Sequence, residues 1–194
     1  MKVRKGLIIK FVLILLFVFL FSIFPESFTG KIIPVNNQNY FPKVLSLLEK
    51  STKSIYVIMF CAKYYEKYPT SPSNQLLNSL IKCAKKGVKV EIILDQSERK
   101  SSYSGEENLK TATYLSNNGI TVHLDSIERT THSKVLIIDE KYVIIGSTNW
   151  SYYSLTHNNE SSVIIESPEL ARYYIKYFKR IKKECKIKIS PRTR

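Results

Sequence analysis

Apolar residues along positions 39–185 recur with two periods, and the switching between them predicts the order of elements. After Asn39, a residue suited to capping, and Pro42, Val44, Leu47 and Leu48 share one face of a first helix. Ser54 to Cys61 is a near-continuous apolar run, the pattern of a strand buried on both faces. Leu76, Leu77, Leu80, Ile81 and Ala84 then repeat at helical spacing between Ser73 and Lys86, with Gly87 as the C-cap, and Val88 to Asp95 forms the next strand. Strand, helix, strand predicts a right-handed parallel crossover. A helix from about Gly105 to Asn118, closed by Asn118-Gly119, leads to a strand over Ile120 to Asp125. Two further apolar runs, Val135 to Ile138 and Tyr142 to Ile145, flank the short turn Asp139 to Lys141 and predict an antiparallel hairpin. Ser161 to Glu166 closes the sheet. Ser167-Pro168-Glu169 opens a last helix, in which Leu170, Tyr174, Phe178, Ile181 and Cys185 mark the packing face. The pattern is that of an α/β chain with both parallel and antiparallel strand neighbours.

The ends and connections read differently. Residues 1–30 begin basic, with Lys2, Arg4 and Lys5, and continue through eleven uninterrupted apolar residues from Phe11 to Phe21, extendable to Leu7 through Phe24. The shorter count suits a signal-peptide core and the longer one a membrane span. The lack of a clear A-x-A site, and Pro25 at the end of the run, favour an uncleaved anchor over secretion after cleavage. The basic flank keeps the N-terminus cytoplasmic and places the domain on the extracytoplasmic side. Residues 31–38 read as a linker, 39–185 as the folded domain, and 186–194 as a solvated basic tail. Ala62 to Ser73, bearing Lys63 and Tyr65, and Gln96 to Ser104, bearing Arg99 and Lys100, are loops suited to contacting a polyanion, the second at the carboxyl end of a strand where α/β sheets bind ligands. Ser151 to Thr156 reads as a polar, tyrosine-bearing loop.

Net charge is +14, and because residues 1–30 carry four cations against Glu26 the remainder keeps +11. A surplus of that size favours nucleic acid or an anionic membrane surface as partner and does not choose between them. Hydrophobic content of 44% excludes a disordered chain. Cys61, Cys83 and Cys185 lack metal-ligand spacing and read as mostly buried thiols, and no carboxylate and histidine cluster has metal-site spacing.

The chemistry concentrates in His132 to Asn149, H-S-K-V-L-I-I-D-E-K-Y-V-I-I-G-S-T-N. Residues two apart on a strand share a face, so His132 sets an imidazole beside the Lys134 ammonium. Antiparallel pairing of the two apolar runs brings Ser147 and Asn149 back toward them. A neutral imidazole can attack phosphorus, while a cation and hydrogen-bond donors stabilise the phosphoryl oxygens. Gly146 is expected to let backbone approach a ligand closely. Each residue alone suits an ordinary strand end or turn; six identities at fixed spacing do not.

His-x-Lys, four residues, Asp, six residues, Gly-Ser-x-Asn resembles the signature of the phospholipase D superfamily, and Glu160, eleven residues after Asn149, resembles the small bacterial nuclease branch. The resemblance covers roughly residues 38–185. It implies a mixed sheet flanked by helices in an α-β-α sandwich. It also implies His132 as the phosphohistidine-forming nucleophile, Lys134 and Asn149 as phosphate holders, Glu160 as the group orienting an active-site imidazole, and Asp139 and Ser147 as supporting members. No metal or cofactor is implied. Cleavage also needs a group to protonate the leaving oxygen. The chain holds one signature, with His123 and His157 outside it, and the resemblance implies that an isologous dimer supplies the second, so a two-fold homodimer placing both His132 side chains in one cleft is expected. Three functions compete: a phosphodiesterase on DNA or RNA, a phospholipid hydrolase at a membrane, and a noncatalytic nucleic-acid-binding protein.

Overall fold

Eight strands form one mixed sheet, in the order β1-β7-β6-β5-β2-β3-β4-β8, in the computed structural model, which describes Lys10 and residues 27–96 and 103–191. The strands are β1 Lys31–Pro34, β2 Ser54–Met59, β3 Lys89–Leu94, β4 Val122–Leu124, β5 Lys134–Ile138, β6 Tyr142–Gly146, β7 Ser162–Glu166 and β8 Ile187–Ile189. Helices α1 Tyr40–Glu49, α2 Pro72–Lys85, α3 Tyr103–Asn117, α4 Tyr152–Thr156 and α5 Pro168–Glu184 cover its faces. β2, β3 and β4 run parallel, joined by the crossovers the periodicity predicts; β5, β6 and β7 run antiparallel. β2 is central and buried at all six positions, which is why S-I-Y-V-I-M shows no alternation.

Two apolar layers sandwich the sheet. On one face Val57, Met59, Leu136 and Ile144 meet Val44 and Leu48 of α1, Leu76, Leu77 and Leu80 of α2, and Ala112 and Leu115 of α3. On the other, Tyr56, Ile58, Ile93, Val135, Ile137 and Val143 meet Ala171, Ile175 and Phe178 of α5. Helix starts follow the sequence signals: the Ser71 and Ser167 hydroxyls accept from the N–H groups of Asn74 and Leu170, each ahead of a proline. Asn39 precedes α1 without a side-chain capping bond. Gly87 and Gly119 adopt positive φ at the ends of α2 and α3, as their positions require.

Three readings of the ends and loops are corrected. Residues 31–34, within the expected linker, form edge strand β1 against β7 in the register Lys31↔Glu166. Residues 187–189, within the expected solvated tail, form edge strand β8 against β4. Both runs are short and largely exposed, so they carry no burial alternation, and what orders them is backbone hydrogen bonding to a neighbour distant in sequence. The expected loop after Asn149 is the short helix α4, capped by the Ser151 hydroxyl accepting from Ser154 N–H. All three cysteines are free thiols, Cys61 and Cys83 buried. The anchor or signal segment of residues 1–30 lies almost wholly outside the described residues, among which no helix is long and apolar enough to cross a membrane.

Candidate active site

The sheet register decides which signature residues meet. Met59 pairs with Lys134, and Val135 with Ile145, so the end of β2, the start of β5 and the end of β6 share one edge of the sheet. There Lys134 Nζ lies 3.2 Å from His132 Nε2 and donates to the His132 carbonyl at 2.8 Å. An ammonium carries only donors, so a hydrogen bond between the two has Nε2 as its acceptor. Phe60 packs both groups, its ring centroid 4.4 Å from the imidazole and 4.7 Å from Nζ. The lysine is only 7% exposed. Burial pushes its pKa down, against the opposing pull of Glu160, the Cys61 thiol and Asp95.

Backbone contacts fix this edge from both sides. Phe60 N–H donates to the Ser133 carbonyl at 3.0 Å, and Trp150 N–H to the Cys61 carbonyl at 2.9 Å. The Asn108 amide, fully buried on α3, accepts from Ala62 N–H at 2.9 Å and donates to the Phe60 and Asp95 carbonyls, each at 2.7 Å. Phe60 and Asn108 thus shape the site without belonging to its signature. Asn149 follows β6, half-buried, and its Oδ1 is buried with no partner among the described residues. An amide oxygen left so accepts from a donor, and it is the Asn149 Nδ2 that can donate to a phosphoryl oxygen.

Ser147 and Glu160 form their own pair. The Ser147 hydroxyl donates to Glu160 Oε2 and accepts from Ser161 N–H at 3.0 Å, while Glu160 Oε1 accepts from Asn158 Nδ2 at 3.2 Å. Within the chain, then, Glu160 is held toward Ser147, and it also acts on Lys134 through its charge.

Asp139, expected as a supporting member, stands apart from the Lys134 edge. It sits five residues beyond Lys134 along β5, about 16 Å away at strand rise. Its carboxylate accepts from the Ser51 hydroxyl at 2.7 Å and from the N–H groups of Thr52, Lys53 and Ser54. Burial raises its pKa, but those four donors outweigh it and hold the carboxyl below the usual range. The residue ties the turn before β2 to the β5–β6 hairpin, away from the His132–Lys134 edge. A folded-state pKa below the unfolded one means that its stabilisation is present above pH ~4 and is lost as pH falls through the folded value. Replacing Asp139 by alanine is expected to cost about 2–4 kcal/mol at pH 7 and less at pH 3, with kcat unchanged in the folded fraction. Denaturant unfolding at the two pH values checks the sign, and a loss of kcat in fully folded protein would return Asp139 to the active site.

Gly146 is also explained differently. A Cβ there would lie 2.1 Å from Ser162 Oγ and 2.4 Å from the Ser161 carbonyl, so glycine lets β7 approach β6 rather than a ligand approach the backbone. Gly146→Ala is expected to destabilise the fold by about 1–3 kcal/mol, read as a lowered Tm.

Of the expected substrate-contacting loop residues, Lys63 and Tyr65 lie past the active end of β2. Lys63 lowers the Cys61 pKa through its charge, and Tyr65 Oη accepts from Tyr152 N–H at 3.0 Å. Arg99 and Lys100 lie outside the described residues. A cavity of about 250 Å³ opens beside His132, lined by Arg129, Ser133, Tyr177 and Arg180 among others, with the Arg180 guanidinium 5.2 Å above the Tyr177 ring. His123 is a buried sheet residue on β4, as expected, and His157 lies past α4 among the rings of Tyr152 and Tyr153.

Residues 44–182 match the family model described as cardiolipin synthase, PLD-like domain. A phospholipase D of Rickettsia typhi is 34% identical over 132 residues, 68% of this chain and 57% of that protein. A mitochondrial cardiolipin hydrolase of Mus musculus is 32% identical over 99 residues, 51% of this chain and 42% of that protein. The chain therefore spans a little over half the length of the first of these relatives and less than half of the second. The crystal structure of a phospholipase D family member, Nuc from Salmonella typhimurium, superposes with a TM-score of 0.68 at 23% identity, covering 81% of this chain and 97% of that one. That last likeness extends to the fold.

Proposed function

This chain belongs to the phospholipase D superfamily, and on that premise we propose that it is a phosphodiesterase working through a covalent phosphohistidine on His132. The observation carrying the reading is the contact of His132 Nε2 with the buried Lys134 Nζ, 3.2 Å apart at an open sheet edge. In the first step His132 Nε2 attacks phosphorus, an N–P bond forms and the P–O bond to the leaving group breaks. Lys134 and Asn149 hold the non-bridging oxygens as charge builds on them. The leaving oxygen takes a proton from a second imidazole, the partner's His132 in a two-fold homodimer, with Glu160 orienting an imidazole across the cleft. In the second step that imidazole takes a proton from water, which attacks phosphorus and breaks the N–P bond. No step calls for a metal.

Nucleic acid, DNA or RNA, is the substrate class this reading adopts, cleaved as by an endonuclease. Its support is charge: residues 31–194 carry +11, and the cavity beside His132 holds Arg180 and Arg129, the latter ion-paired with Glu184. A phospholipid is the second reading, favoured by the names of the relatives and by the basic and apolar N-terminus. In our reading that segment anchors the domain on the extracytoplasmic side of a membrane, and the mass of the mature protein tests whether it is retained. Incubating the full-length chain with plasmid DNA, single-stranded RNA and cardiolipin vesicles, with EDTA present and His132→Asn as control, separates the readings. Cleavage of nucleic acid alone is expected. Headgroup release alone supports the lipid reading, strict dependence on a divalent ion refutes the mechanism, and binding of nucleic acid without turnover refutes enzymatic function.

A further inference from the structure

The last helix carries a charged face that the active site leaves unused. Arg172, Lys176, Lys179 and Lys183 are all exposed, and their spacings of four, three and four residues set them in one stripe about 16 Å long on α5. Like charges three and four residues apart on a helix repel, so the stripe works against the helix that bears it. Among the described residues none of the four is ion-paired: the salt bridges of α5 are those of Lys182 with Glu91 and of Glu184 with Arg129. The helix's own carboxylates, Glu169 and Glu184, sit at its two ends. From α5 it is Tyr177, Arg180, Ile181 and Glu184 that line the cavity beside His132, and the stripe lies outside it.

What adjoins the stripe decides its partner. Phe28 packs on Tyr173 with ring centroids 5.5 Å apart, and Lys31 of β1 pairs with Glu166, one residue before the Ser167 cap of α5. Ile33 packs into the layer beneath α1 and α2, so Ile32 turns to the α5 face, where it is 62% exposed; Tyr173 is 42% exposed. Exposed aliphatic and aromatic side chains at the head of a cationic stripe suit a membrane interface. The N-terminal apolar run ends at Phe24, and the four residues from there to Phe28 reach at most about 14 Å. The covalent chain thus ties the end of a membrane-type sequence to the head of the stripe. A polynucleotide would match the cations but not Ile32 or the apolar run, and an isologous contact with a second copy would set the stripe against itself.

We propose that the Arg172 to Lys183 face of α5 is a membrane-docking surface, laying the domain on anionic phospholipid headgroups with Phe28, Ile32 and Tyr173 at headgroup level. The choice of partner rests on the anchor reading, and the proposal adds the orientation of the domain to it. Because α5 also walls the His132 cavity through Tyr177 and Arg180, docking by this face brings that cavity close to the headgroups.

Lysine footprinting tests this. The full-length chain is placed in nanodiscs of phosphatidylcholine, with or without phosphatidylglycerol, acetylated briefly and mapped by mass spectrometry. Lys176, Lys179 and Lys183 are expected to react at least about fivefold more slowly in the anionic discs, because each cation near an anionic surface strengthens docking about fivefold. Lys82 and Lys85 of α2, exposed on the opposite face of the sheet, should react alike in both. The protection should vanish in about 1 M salt, where the screening length falls to about 3 Å. Arg172→Gln combined with Lys179→Gln should return Lys176 and Lys183 most of the way to their rate in neutral discs, with turnover of a soluble phosphodiester unchanged. Equal rates in the two discs overturn the proposal. So does protection by single-stranded DNA in neutral discs as strong as that given by anionic lipid, which would assign the stripe to a polynucleotide. Retention in neutral discs reads the anchor separately: a chain that leaves them yet is held and protected by anionic discs keeps the docking face and loses the anchor.

Discussion

Replacing His132 with asparagine is expected to lower phosphodiester turnover by at least about 10⁴-fold with the fold intact, because the substitution removes the imidazole that forms the N–P bond in the proposed mechanism. The exposed ring contributes little to packing beyond its contact with Phe60, so the Tm should move by no more than a degree or two. Mass spectrometry of acid-free quenched wild-type reactions should find a phosphoryl adduct on His132 and none on His123 or His157, the chain's two other histidines. The same substitution reports on assembly. When wild-type and His132→Asn chains are mixed and allowed to exchange, a cleft needing two imidazoles loses activity as the square of the wild-type fraction. A linear loss would mean that each chain works alone, and would direct attention to His157 as the proton donor.

Lys134→Met should cost about 10²- to 10³-fold in kcat, the range for removing one preorganised group that stabilises developing charge. Methionine keeps most of the buried volume while deleting the ammonium, the bond to the His132 carbonyl and the partner of Nε2. Arginine is not a conservative test, since a planar guanidinium cannot occupy a site shaped for a compact ammonium beneath Phe60. Because burial pushes the Lys134 pKa down, wild-type activity should fall on the alkaline side earlier than an ordinary lysine allows, as the neutral amine ceases to stabilise charge. That limb should vanish from the residual activity of Lys134→Met, and a limb that persists would assign the titration to another group.

The signature spacing made His132, Lys134 and Asn149 legible because adjacency along one strand and return through one hairpin are local facts, fixed by the two-residue strand period. The same strand geometry, applied to distance, sets Asp139 at the far end of β5, so its separation from Lys134 was legible from strand rise alone. Ser147 and Glu160 were legible as members of the motif but not as a hydrogen-bonded pair, because their meeting depends on how far β7 slides along β6. Asn108, Phe60, Asp95 and Asp125 carried no pattern that singled them out. Each is one polar or aromatic residue at the end of an otherwise ordinary element, and its neighbours come from strands or helices tens of residues away.

By itself the order of residues determined the run of strands and helices through the domain, its parallel crossovers, its hairpin and the placing of His132 beside Lys134, all of which follow from periodicity and short-range geometry. Only the tertiary structure decided that β1 and β8 close the two edges, since strands too exposed to alternate are held by backbone bonds to partners far along the chain. The tertiary structure also decided that two acids from separate strands meet at one backbone amide ahead of His132. That meeting depends on the neighbouring positions of β3 and β4 in the sheet, a long-range pairing that no local stretch of sequence encodes.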